Sequence, residues 1–109
     1  MKKAKSYRII FTSTDTLERA EKIAKGLISQ SLAACVNIIP NVISYYKWKE
    51  DIEQSYEFIL KIKTSKNKLN EIEEFIKQNH IYEIPEILTI KIDKANESYL
   101  EWMENSMLL

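Results

Sequence analysis

One extended stretch constrains the fold of this chain more than any other feature. Residues Ala33 to Trp48 are rich in Val, Ile, Tyr and Trp, which is typical of a β-strand. Because proline has no amide proton to donate to a ladder, we expect a bulge or bend at Pro40-Asn41. Such a stretch would extend roughly 53 Å, whereas a compact domain of this length has a diameter of about 34 Å. The strand is therefore longer than its own domain.

The remaining periodicity predicts a single α+β domain over residues 1–109. The predicted elements are a strand at Tyr7–Thr14, a helix capped by Asp15 and ending near Ser29, the bent strand, a polar turn at Lys49–Gln54, a strand at Ser55–Ser65, a helix opened by Ser65 or Asn67 and ending near Asn79, a loop at His80–Glu86, a strand at Ile87–Ile92 and a helix near Asn96–Glu104. This order is βαββαβ with an extra C-terminal helix. Right-handed crossovers put both long helices on one face of an antiparallel sheet, which is a ferredoxin-like sandwich.

The helices leave the hairpin tip and one face of the sheet exposed, so apolar residues there must be buried by another chain. Five aromatic side chains lie on the predicted tip: Tyr45, Tyr46, Trp48, Tyr56 and Phe58. An exposed aromatic patch with unpaired edges favours association, so we expect the hairpin to pair with a neighbouring subunit and its aromatics to be interface anchors. The alternative is that Pro40 folds the hairpin back onto its own domain.

The scarce residue types exclude several functions. The chain contains one Gly, one Cys and one His, whereas a phosphate-binding loop needs close glycines, a disulfide needs two cysteines, and a closed zinc site needs about four Cys or His ligands. Sixteen basic and sixteen acidic residues balance, so nucleic acid is not an expected partner. No apolar run approaches a signal peptide or a membrane span, which predicts a cytoplasmic location without membrane association.

Two side chains are candidates for chemistry. Cys35, between small and apolar neighbours, is either a packed small hydrophobe or a soft ligand or redox thiol. His80 follows a helix and either complements its last carbonyls or acts as a ligand. Tyr82, Glu83 and Glu86 accompany it, and imidazole, phenol and carboxylates together suit a borderline metal. One histidine per chain holds a transition metal poorly, so we expect such a site to be completed by rotational symmetry.

No nucleophile signature appears, and the predicted protein is not an enzyme. The hypothesis of a hydrolase is supported only by the presence of His and carboxylate side chains, which are common general acids and bases.

Several segments, in one order along nearly the whole chain, together resemble the CutA divalent-cation-tolerance family. They are Leu32–Asn37 (LAACVN), Tyr46–Trp48 (YKW), Ile62–Thr64 (IKT), His80–Ile87 (HIYEIPEI) and Tyr99–Trp102 (YLEW). The resemblance implies a cytoplasmic homotrimer of ferredoxin-like subunits, similar in plan to the PII signalling proteins, with long hairpins paired across subunits.

The resemblance also implies a link to copper and other divalent cations at a cleft between subunits. The residues that match the family loop are His80, Tyr82, Glu83 and Glu86, and those that match positions around the cleft are Cys35, Trp48 and Lys63. It follows that His80 and Glu83 or Glu86 are the expected ligands of Cu(II) or a similar divalent ion. No obligatory cofactor is expected.

The chain departs from the family pattern at four positions. Ile81 stands where the loop usually has proline, and Glu50 stands where the turn after the tryptophan usually has glycine. Phe11 and Asn79 stand where some members place a Cys and a second His. Two candidate metal ligands are therefore missing.

The leading hypothesis is a trimeric, non-enzymatic protein of metal homeostasis that binds a divalent ion at subunit clefts. The alternative is a PII-like signalling or scaffold trimer whose clefts accept a small anionic molecule or a partner's tail, with Lys63 supplying positive charge. A bound anion without metal near His80 would favour the alternative.

Overall fold

Four of the strands form one antiparallel sheet. The computed structural model of the protein describes residues 1–108, so Leu109 at the end of the predicted domain lies outside the described residues. The strands are β1 (Lys2–Lys3), β2 (Tyr7–Thr14), β3 (Cys35–Trp48), β4 (Asp51–Ser65), β5 (Ile87–Lys91) and β6 (Lys94–Ala95), and the helices are α1 (Leu17–Ser29), α2 (Leu69–Asn79) and α3 (Glu97–Ser106), with a 3-10 turn at Lys66–Lys68.

The strand order β3-β4-β2-β5 confirms the predicted ferredoxin-like α+β topology. All three ladders are antiparallel, and β2 lies between β4 and β5. A second sheet was not predicted: β1 pairs with β6, with Lys2 opposite Ala95. Strands of two residues leave no periodicity in the sequence, because alternation needs at least four positions to be recognised.

The core lies between the sheet and the helices α1 and α2. Ala20, Ile23 and Leu27 of α1 are spaced three and four residues apart and are fully buried. They pack in one cluster with side chains of the sheet and of α2, including Ile10, Leu60, Ile62, Ile72 and Ile76. In residues 1–108, no helix has both the length and the apolar character needed to cross a membrane.

The start of α1 differs from the prediction that Asp15 caps it. Thr16 is the cap, because its side-chain oxygen accepts a hydrogen bond from the amide of Arg19 at 3.2 Å. The Asp15 carboxylate instead accepts from Nε of Arg19 at 3.1 Å. This guanidinium holds the pKa of Asp15 below its usual value against the opposing effect of burial, which is the larger single influence.

Gly26 sits where α1 and α2 approach each other. A methyl group at Gly26 would overlap the ring of Phe75 on α2. The close approach is therefore between the two helices.

The hairpin of β3 and β4 is longer than predicted. The expected turn at Lys49–Gln54 is wrong, since β4 already begins at Asp51 and the turn consists of Lys49 and Glu50, with φ of 48° and 72°. The predicted irregularity at Pro40 is confirmed by a register shift between Ile39 and Val42. Pairing then continues to Trp48 opposite Asp51, so the hairpin does not fold back.

The molecule is elongated because of this hairpin. It measures 46 × 26 × 23 Å, with a radius of gyration of 14.9 Å, against about 13 Å for a compact chain of similar length. We call the part of β3 and β4 beyond the bulge, residues 42–57, the arm.

The sheet face that lies away from α1 and α2 is apolar and open. Ile9 is paired with Ile90, and Phe11 with Leu88, on this face. Leu88 is 58% exposed and Ile90 is 53% exposed. The prediction that apolar residues remain uncovered on one face is therefore confirmed within the described residues.

Candidate functional site

A cavity of about 600 Å³ lies between the arm and the loop of residues 80–86 that follows α2. It is lined by Ser13 at the end of β2, by Tyr46, Trp48, Glu53, Ser55 and Glu57 of the arm, and by Tyr82, Glu83, Ile84 and Glu86 of the loop. The cavity thus combines four carboxylates with three aromatic rings.

The register of the hairpin decides which arm residues face the cavity. In β4, Glu53, Ser55 and Glu57 alternate along one face of an uninterrupted strand. In β3 the bulge shifts the register by one residue. Before it, odd-numbered residues of β3 pair with odd-numbered residues of β4, as Ile39 does with Ile59, whereas after it even-numbered residues pair with odd-numbered ones, as Tyr46 does with Glu53. Tyr46 and Trp48 consequently share a face with these glutamates.

His80 fixes the loop to the sheet with both of its ring nitrogens. Nδ1 accepts a hydrogen bond from the amide of Tyr82 at 3.0 Å, and Nε2 lies 2.5 Å from the carbonyl oxygen of Ser13. Since an amide can only donate, Nδ1 carries no proton, and Nε2–H is the donor to Ser13. The imidazole is therefore neutral in this arrangement and holds two segments together that lie 67 residues apart.

Tyr82 joins the loop to the arm. Its hydroxyl donates to Oε2 of Glu57 at 3.2 Å, and its ring lies 4.8 Å from that of His80. Burial raises the pKa of Tyr82 to about 12, and the negative charge of Glu57 adds to the effect, because both disfavour the phenolate.

Lys63 and Cys35 lie at another part of the sheet. They are opposite each other in the β3–β4 ladder, and neither lines the cavity. Nζ of Lys63 donates to the hydroxyl of Tyr99 at 3.2 Å and lies 5.5 Å from its ring centroid, while Tyr99 stacks on Trp102. This ammonium group is thus engaged by α3.

The cavity favours cations. Its lining includes four glutamates and no Lys, Arg or His. Within residues 1–108, no three His, Cys, Asp or Glu side chains lie close enough together to hold a metal ion. One chain therefore provides negative charge and oxygen donors without a complete chelate.

The structure unites some of the predicted site residues and separates others. The cavity is lined by four of them, Trp48, Tyr82, Glu83 and Glu86. His80 is not part of the lining and positions the loop through its hydrogen bonds with Ser13 and Tyr82. The residues that sequence reasoning missed are Ser13, Tyr46, Glu53, Ser55, Glu57 and Ile84. The alternation of Glu53, Ser55 and Glu57 could have predicted that these side chains share one face of a strand. The assignment of residues 49–54 to a turn prevented that prediction.

A ferredoxin-like sandwich with a long arm, and with an acidic cavity between the arm and the loop of residues 80–86, defines a small protein of the α+β class. The family described as CutA1 divalent ion tolerance protein matches residues 8–106. The chain belongs to this family.

Individual relatives agree with this assignment. The divalent-cation tolerance protein CutA of Thermus thermophilus is 34% identical over 98 residues, which cover 90% of this chain and 95% of that protein. The crystal structure of CutA1 from Ehrlichia chaffeensis is 30% identical, with a TM-score of 0.92, and covers 96% of this chain and 98% of that chain. The chloroplastic protein CutA 1 of Oryza sativa is 37% identical over 90% of this chain, but the chain spans 55% of its length.

Proposed function

We propose that this chain acts in divalent-cation tolerance by binding a divalent cation at the cavity between arm and loop, as a homotrimer without a catalytic step. The observation that carries the proposal is the lining of four glutamates without a basic residue. The names of relatives, such as the divalent-cation tolerance protein of Thermus thermophilus, support the choice of ligand.

Glu83 and Glu86 are the proposed oxygen ligands. Carboxylates bind many divalent ions, and Cu(II) accepts mixed nitrogen and oxygen donors. His80 would add a nitrogen only after losing the hydrogen bond to Ser13 or to Tyr82, so the carboxylates carry most of the proposed affinity. The remaining ligands would come from water or from a neighbouring copy, since one chain provides no complete chelate in residues 1–108.

Trimerisation is part of the proposal. The exposed apolar face formed by β2 and β5 and the protruding arm both favour association with copies of the chain. The cytoplasm, expected from the sequence, remains a prediction, because the names of some relatives place them in the chloroplast or the periplasm.

The acidic lining disfavours the alternative of an anionic ligand in this cavity. Four carboxylates repel an anion, and Lys63, the expected source of positive charge, contacts Tyr99 outside the cavity.

Calorimetric titration with CuCl₂ tests the proposal. The variant with Glu83→Gln and Glu86→Gln is expected to lose at least about tenfold in affinity, because each change removes a charged oxygen donor. The matched control carries Glu21→Gln and Glu101→Gln, two exposed helical positions outside the cavity lining, and loses the same charge. Equal affinities of the two variants would contradict the proposal.

A further inference from the structure

The basic side chains of the protein are concentrated at the end of the sheet that lies away from the arm. Three segments meet there, residues 1–8, 64–70 and 91–95, and we call them together the basic end. They carry eight of the sixteen basic side chains, Arg8 and seven lysines, and only one of the sixteen acidic side chains, Asp93. The net charge of zero therefore conceals a separation of charge between this end and the acidic cavity at the arm.

Backbone hydrogen bonds hold the three segments of the basic end together. The amide of Ala4 donates to the carbonyl oxygen of Asp93 at 3.0 Å, and the amide of Lys66 donates to the carbonyl oxygen of Ser6 at 2.7 Å. The positive side chains are thus grouped by the fold itself, since the backbone that carries them is tied across the segments.

Two pairs of like charges lie directly opposite each other across neighbouring strands. Lys3 is opposite Lys94 in the β1–β6 ladder, and Arg8 is opposite Lys91 in the β2–β5 ladder. Like charges in this position destabilise a sheet. A local conflict of this kind is expected mainly where a function requires it, and an anion bound between the charges would remove the repulsion.

Little of this positive charge is neutralised within the chain. In residues 1–108, the one ion pair of the basic end joins Lys2 to Glu97 at 4.0 Å, between two exposed side chains. Nη1 of Arg8 donates to the carbonyl oxygens of Lys5 and Tyr7 at 2.7 and 2.9 Å. These bonds fix the guanidinium in place, and its further N–H donors suit the oxygen atoms of a phosphate group.

The surroundings of these charges favour a phosphate chain that carries no bases. Tyr7 is the one aromatic residue of the three segments; its ring packs against the buried methionines of α3, and its hydroxyl donates to the carbonyl oxygen of Leu100 at 3.4 Å. No ring of the basic end is thus available to stack on a base. Lys2 and Lys3 alternate along β1 and point to opposite faces, so a flexible chain can reach charges that a rigid duplex, lying on one side, cannot.

We propose that the basic end binds inorganic polyphosphate, a linear chain of phosphate groups, through Arg8 and the surrounding lysines. Lysine binds phosphate as a point charge and needs no base or sugar for recognition. This proposal goes beyond the proposed function, because it concerns a different end of the molecule and an anionic ligand.

Calorimetric titration of the full chain with long-chain sodium polyphosphate in metal-free buffer tests the proposal. The absence of divalent ions prevents them from linking phosphate groups to the acidic cavity. A random-sequence DNA duplex with the same number of phosphates is the reference probe, and it is expected to bind at least about tenfold more weakly, because fewer of the positive charges reach it. A duplex that binds as tightly as polyphosphate, or polyphosphate that does not bind, would overturn the proposal.

A double variant, Lys3→Gln with Lys94→Gln, isolates one of the like-charged pairs. Polyphosphate binding at low salt is expected to weaken about tenfold, and the slope of log K against log salt concentration to fall by about two, because two phosphate contacts are lost. The melting temperature without polyphosphate should not fall below that of the parent chain, because the substitutions remove a repulsion. Weaker binding could then not be attributed to unfolding.

The matched control carries Lys22→Gln with Lys25→Gln, two exposed positions on α1 outside the basic end. It loses the same charge and is expected to bind polyphosphate like the parent chain. Equal losses in the two double variants, or no loss in Lys3→Gln with Lys94→Gln, would overturn the proposal.

Discussion

At the scale of single residues, two neighbouring rings determine how the loop 80–86 meets the rest of the chain. His80 bonds the end of β2, and Tyr82 bonds the arm through Glu57. The phenol of Tyr82 remains protonated well above the ordinary range, because burial and the adjacent carboxylate both oppose ionisation. The contact of the loop with the arm is therefore made by a phenol that keeps its proton.

The raised pKa of Tyr82 predicts a loss of stability in alkali. The folded chain releases this proton at a pKa of about 12 and the unfolded chain at the ordinary tyrosine pKa of 10.0, so the contribution is complete below pH 10 and is lost as the pH rises towards 12. Urea unfolding of the parent chain should show a falling free energy of unfolding across this window. Tyr82→Phe should flatten the fall, because no phenol is left to ionise.

Tyr56→Phe is the matched control for this measurement. Tyr56 lies on the arm and is 69% exposed, so the same deletion of a hydroxyl should leave the pH dependence unchanged. Burial and Glu104 also raise the pKa of Tyr7, which remains in all three proteins and contributes equally to each. If the free energy of unfolding of Tyr82→Phe fell with pH as steeply as that of the parent chain, the raised pKa would not belong to Tyr82.

At the scale of the elements, the hairpin combines one tight turn with one bulge. Lys49 and Glu50 both adopt positive φ, as the favoured two-residue hairpin turn requires. The backbone of a residue other than glycine is strained at such a φ, because its Cβ crowds the neighbouring carbonyl. The bulge at Pro40 and Asn41 sets the register of everything beyond it.

Glu50→Gly is expected to stabilise the folded chain. Glycine adopts a φ of 72° without steric cost, and relief of the left-handed strain should raise the free energy of unfolding by about 1 kcal/mol. Thermal and urea unfolding would measure the gain. The control is Asp51→Gly at the adjacent strand position, which should lose stability because glycine weakens a strand. A loss in both variants would contradict the role assigned to the turn.

At the scale of the whole molecule, one chain does not cover all of its apolar surface. The helices cover one face of the sheet, while Leu88 and Ile90 remain exposed on the other. The arm extends the longest dimension to 46 Å. A homotrimer would bury both features and would couple stability to protein concentration, because association favours the folded state by mass action.

Leu88→Asp is expected to dissociate the proposed trimer. A carboxylate at this half-exposed apolar position would be desolvated in an interface, so sedimentation equilibrium at micromolar concentration should find monomers and a lower melting temperature. The control is Thr89→Asp, which places the same charge on the opposite face of β5 and should remain trimeric. A parent chain that is monomeric, with a melting temperature independent of concentration, would contradict the assembly.

The sequence by itself determined the order of the three helices and of the four strands of the main sheet, and the protrusion of the hairpin. Those features depend on local periodicity, on the length of the run from Ala33 to Trp48 and on the missing amide of Pro40, all of which can be read without contacts. The sequence also predicted a site at His80, Tyr82, Glu83 and Glu86, because these residues are neighbours in one loop.

Only the tertiary structure decided which side chains share the cavity. The parity change at the bulge brings Tyr46 to the same face as Glu53 and Glu57, and the docking of the loop brings Ser13 to His80. It also separated Lys63 and Cys35 from the cavity. Register and loop docking arise from contacts between distant segments, and a local pattern of residue types does not predict such contacts.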